Sequence, residues 1–169
     1  MIPKKYFPSI VTGFGAAVLS TVPGIKSFSC CLIIPAAAYL SLHLYNRTKS
    51  EESPIKLNRA LSFGLITGLV AALFAIIFDL LITYITHNND LVSGLQPSEE
   101  FLQQFNLGPI MDNSIKIMEG MVKEIEQNGF SALYTVIISI SNFLVFSIFG
   151  MLGGLLYMSV YNRRQRDRI

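Results

Sequence analysis

Charge is scarce in this chain. Asp, Glu, Lys and Arg make up 14% of the 169 residues, against about 25% in a soluble domain. The mean hydropathy is +0.50. Most of the chain therefore belongs in lipid, and the remainder is too short for a separate soluble domain, so one domain over residues 1–169 is expected. Catalytic signatures are missing too. There is no Ser-His-Asp arrangement, no cluster of metal ligands and no phosphate-binding loop. Intramembrane proteolysis needs paired polar groups, and the apolar stretches hold one acid. No enzyme activity, cofactor, metal or catalytic residue is read here. Nucleic-acid binding is not expected, because the basic residues are few and serve orientation.

Cysteine and histidine are nearly absent, with two of each. Cys30 and Cys31 are adjacent, and a bond between neighbouring cysteines is strained. No third cysteine or nearby histidine completes a metal site. They read as two small buried hydrophobes. His43 and His87 fall at opposite ends of their spans and cannot share a metal.

Long apolar runs are abundant. Ala60 to Ile85 is free of charge except for Asp79, and ~20 such residues cross the ~30 Å hydrocarbon core of a bilayer. Four spans are expected, at about 6–22, 28–45, 60–86 and 131–157, with an outer segment over 87–130. The first two are short enough that a re-entrant hairpin remains an alternative. The fold class is all-α: a polytopic membrane protein with four transmembrane helices and an amphipathic outer segment between helices 3 and 4. The N-terminal run imitates a signal peptide, but a second span follows after a short turn, so an uncleaved first helix is expected.

The basic residues fix an orientation. Lys4 and Lys5 precede the first span, Arg47, Lys49, Lys56 and Arg59 separate the second and third, and Arg163, Arg164, Arg166 and Arg168 follow the fourth. By the positive-inside rule both termini are cytoplasmic, in a bacterial inner membrane. The tail from Asn162 to Arg168 is either this topogenic signal or a contact for anionic headgroups. Tyr39, Tyr45, Tyr84, Tyr157 and Tyr161 sit near span ends, as interface anchors do.

Small and polar residues gather on helix faces. At 100° per residue, Gly64, Gly68, Ala72, Ala75, Asp79, Thr83 and Thr86 share about a 100° arc of the third span. Ile66, Leu69, Leu73, Ile77 and Leu80 lie opposite. Ala132, Thr135, Ser139, Asn142, Gly150 and Gly153 share a face of the fourth, where Gly150 and Gly154 have GxxxG spacing. Ser9, Gly13, Ala16, Ala17 and Ser20 occupy neighbouring faces of the first. Such faces let membrane helices approach closely, so Gly13, Ala17, Gly64, Gly68, Ala72, Gly150 and Gly154 are the expected packing residues. Pro35 is expected to kink the second span.

A carboxylate inside lipid must face protein or water. Asp79 is expected to form a polar intramembrane cluster with Ser139 or Asn142. Two readings stand: a structural hydrogen-bonding group, or a proton or cation relay. The first is preferred, because no intramembrane Lys or Arg and no internal repeat accompanies it.

In the outer segment, Pro97-Ser98-Glu99-Glu100 reads as a helix start and Gly108-Pro109 as a break. A helix over 113–127 would set Ile115, Met118, Met121, Val122 and Ile125 against Lys116, Glu119, Lys123, Glu124 and Glu126. It would cap the bundle, bind a partner or lie on the membrane surface.

The run from Pro23 through Cys30-Cys31 to Tyr39, the stretch Leu61–Ala72 and the stretch Gly150–Tyr157 resemble a family of small bacterial inner-membrane proteins, domain of unknown function 4199. The resemblance spans nearly the whole chain and implies four helices with a long outer segment before the last. It implies no activity and no site residues. The function expected from the sequence is an integral inner-membrane protein, a structural or accessory component of a membrane assembly. The alternative is a small transporter or channel element using Asp79. The partners expected are the lipid bilayer and other membrane subunits, or a second copy of the chain.

Overall fold

A computed structural model describes residues 4–22, 24–48, 54–94 and 109–166. Every regular element among them is helical. α1 is Phe7–Ser20, α2 Ile34–Arg47, α3 Leu57–Thr86, α4 Pro109–Asn128 and α5 Ala132–Arg166. Three stretches are long and apolar enough to cross a membrane: Lys26–Arg47, Leu57–Thr86 and Ala132–Arg166. With 14 residues, α1 spans ~21 Å at the helical rise, less than the ~30 Å of hydrocarbon.

The chain gathers into two compact units. One comprises Met1–Ile76 with Ser139–Ile169, the other Ile77–Ile138.

In the first unit, α1 packs on α2. Its buried residues are the small and hydroxyl ones: Ser9, Thr12, Gly13, Ala16, Ala17 and Ser20. The Ser9 and Ser41 hydroxyls, both fully buried, lie 2.8 Å apart and tie the two helices. Before Pro35, Ser29–Ile33 forms a π-helical turn in which the Ile34 N–H reaches back to the Ser29 carbonyl. The wider turn makes room for a ring that cannot donate and would otherwise press on the preceding turn. Cys30 and Cys31 ride on this turn, sulfurs 3.6 Å apart; Cys31 is exposed and Cys30 half-buried. The reading of both as buried hydrophobes therefore fails for Cys31.

An aromatic core closes one end of this unit. Leu42, Ile55, Ala60, Phe63 and Tyr157 are buried together, with Tyr6, Tyr39, Tyr45 and Tyr161 packed against them. Phe63 meets Tyr45 and Tyr6 at ring separations of 4.5 and 5.2 Å. Tyr157 meets Tyr39 at 4.9 Å and His43 at 5.7 Å. Four of the five tyrosines read as interface anchors thus belong to an aromatic core; Tyr84, 64% exposed, stands outside it.

In the second unit, α4 turns its apolar stripe inward. Met121 and Ile125 are buried with Tyr134, and Met118, Leu91, Val92 and Ile138 pack around them. Lys116, Glu119, Lys123, Glu124 and Glu126 are exposed. Within the described residues the helix covers Pro109–Asn128, so it already includes the four residues ahead of the expected start at 113. It ends at Gly129, whose φ of 69° is costly for residues with a Cβ. The expected helix start at Pro97–Glu100 lies outside the described residues.

Candidate functional site

The residues singled out by the sequence fall into two places, a glycine seam in the first unit and a carboxylate in the second.

Along α3, Ala60, Gly64 and Gly68 recur every four residues; along α5, Phe146, Gly150 and Gly154 do the same. The two rows meet in antiparallel register. A Cβ placed on Gly64 would strike the Gly150 carbonyl, one on Gly68 the Phe146 carbonyl, and one on Gly154 the Ala60 carbonyl. Only hydrogen at these positions lets two backbones touch, which is the packing that apolar helices use in lipid. Gly153 meets the backbone of Pro35 in the same way, so α5 touches α2 one step round from its contact with α3. Gly13 brings α1 onto α3, where a Cβ would lie 2.9 Å from the Thr67 carbonyl. Ala17 and Ala72 are fully buried.

The far side of α3 is open, with Leu69, Leu73 and Ile77 exposed. On α5, Ile140, Leu144, Ile148, Leu152 and Leu156 form an outward row, each between 46% and 60% exposed.

Asp79 lies in the second unit, near the end of α3, half-buried. Its carboxylate accepts a 2.8 Å hydrogen bond from the Tyr134 hydroxyl in the first turn of α5. Tyr134 is 8% exposed, wedged against Met121 and Ile125. Tyr134 lies outside the expected set of Asp79, Ser139 and Asn142. Ser139 and Asn142 belong to the other unit, both half-buried. Thr83, one turn beyond Asp79, is 2% exposed, and its hydroxyl has no partner among the described residues.

Two contacts hold the ends of α3 and α4 in this unit. The His87 ring nitrogen Nδ1 lies 3.0 Å from the Glu126 carbonyl in the last turn of α4, an oxygen with no partner inside its helix. Gly129 lets the chain pass the Tyr84 backbone, where a Cβ would come within 2.9 Å of the carbonyl. The Asn89 side chain accepts from the Leu91 and Val92 N–H groups and opens the turn at 90–94.

Among the described residues, no group of three or more His, Cys, Asp or Glu side chains is placed to hold a metal. No protein family, curated protein or solved structure matches this chain.

Proposed function

We propose that the chain is an integral membrane protein of structural or accessory role, with four crossings, both termini in the cytoplasm of a bacterial cell, and residues 87–130 on the outer side. The observation that carries this reading is where the small and polar residues go. Gly64, Gly68, Gly150 and Gly154 are consumed in contacts between the chain's own helices, and Asp79 is tied to Tyr134. Aliphatic rows on α3 and α5 are left facing outward, as lipid requires. Association with other membrane subunits, or with a second copy, would use those rows rather than the glycine seam, which is filled.

One observation favours a second reading, a proton or ion element using Asp79. The Thr83 hydroxyl is buried and unpartnered one turn away, and an intramembrane carboxylate beside an unused polar group is how a permeation path begins. Reconstituting wild type and Asp79→Asn in liposomes and following an internal pH dye under a proton gradient separates the two. The structural reading expects equal, background-level flux from both proteins. A wild-type flux that disappears in an Asp79→Asn protein of normal assembly would establish the second.

A further inference from the structure

At the start of α3 the first unit holds a polar hollow of about 230 Å³, lined by Lys5, Lys56, Asn58, Arg59, Ser62 and Phe63. We propose that it binds a phosphate-bearing anion, the phosphodiester of an anionic lipid headgroup. This rests on the membrane reading above, which places these residues at the cytoplasmic surface.

Three cations converge there, Lys5 from the chain ahead of α1 and Lys56 and Arg59 from the start of α3. The floor is Phe63, fully buried. The Tyr6 ring packs on it, and the Lys5 ammonium sits over the Tyr6 ring at 5.0 Å from its centre. Lys5 is thereby linked through aromatic contacts to Phe63, which lines the hollow together with Arg59. The backbone leading into Lys56 is fixed from the other side. The residue before it, Ile55, is gripped by Asn162: the Ile55 N–H donates to Oδ1 at 2.9 Å, and Nδ2 donates to the Ile55 carbonyl at 3.0 Å. The Lys56 carbonyl then accepts from the Arg59 and Ala60 N–H groups and starts the helix.

The chemistry of the lining favours phosphate. The Ser62 hydroxyl donates to the Asn58 carbonyl at 2.7 Å and is spent. The donors left are two ammoniums, a guanidinium and the Asn58 amide, and an arginine fork matches paired phosphate oxygens. Neither Lys56 nor Arg59 has a carboxylate partner among the described residues. The positive end of a 30-residue helix adds to the same potential. Basic pockets between helices on the cytoplasmic side are where anionic headgroups dock.

The test titrates the full chain, in a zwitterionic detergent, with phosphatidylglycerol, phosphatidylcholine and inorganic phosphate, reading bound mass by native mass spectrometry. Phosphatidylglycerol should bind more tightly than phosphatidylcholine. Lys56→Gln with Arg59→Gln should weaken it about thirtyfold, the worth of two basic residues against an anionic headgroup. Lys5→Gln, which leaves α3 untouched, should shift it the same way. Arg163→Gln with Arg164→Gln, charges that do not line the hollow, should change it by less than about threefold, since an attraction exerted at a distance is weakened by salt. Phosphatidylglycerol binding that survives both the Lys56/Arg59 and the Lys5 changes overturns the site, as does an equal loss in the tail variant. Inorganic phosphate binding as tightly as the lipid would make free phosphate the ligand and overturn the lipid assignment. Release of the chain from membranes without detergent would instead break the membrane reading, a result the titration does not produce.

Discussion

Between Tyr134 and Asp79 a phenol O–H donates a hydrogen bond to a carboxylate, and the phenol itself is buried in an apolar cluster. Hydrogen bonds to charged groups are worth about 1.5–3 kcal/mol. Tyr134→Phe should therefore lower stability by about that amount, read from thermal unfolding in detergent. Its cost should shrink in an Asp79→Asn background, where the acceptor is neutral; an unchanged cost would mean that the hydroxyl stabilises something else. Asp79 was legible because a single charge in a long apolar run has few explanations. Tyr134 was not, since an aromatic at the start of a span is also what an interface anchor looks like, and its acceptor lies 55 residues away. Gly15 offers a contrast. A Cβ there would meet open space, so Gly15→Ala should stabilise α1 by about 0.5–1 kcal/mol through helix propensity.

At the level of elements, the same substitution on the seam should do the opposite. Gly150→Ala forces a methyl into the Gly64 backbone, and α3 and α5 must part. Overpacking of this kind costs about 1–3 kcal/mol, and Gly150→Leu should prevent a monodisperse protein on size exclusion. A tolerated Gly150→Leu would mean that the helices do not touch there. Each small-residue row was visible in the sequence from its spacing of four. The register that pairs Gly64 with Gly150 was not, because periodicity within a helix carries no information about its partner. Hydropathy also ended the fourth span at 157, whereas α5 runs on to Arg166; arginine is a good helix former and favours a helix C-terminus. Asn162, on that extension, pins the chain ahead of α3 through two hydrogen bonds. At about 1 kcal/mol for each bond, Asn162→Ala should cost about 2 kcal/mol, seen as a lower unfolding temperature.

For the whole molecule, what is turned outward matters most. Ile85 is 76% exposed, Phe7 64%, Leu32 62% and Leu144 60%, within helices that carry almost no charge. In water, apolar surface of this extent would drive aggregation; in hydrocarbon it is the proper solvent contact. Three stretches have the length to cross. The shortness of the first span was legible from its apolar run over 6–22; that the helix stops at Ser20, two residues before that run ends, was not. The most direct test is alkaline carbonate extraction of membranes from cells expressing the full chain. The account predicts that the protein stays entirely in the pellet and is released only by detergent. Recovery in the carbonate supernatant would contradict it.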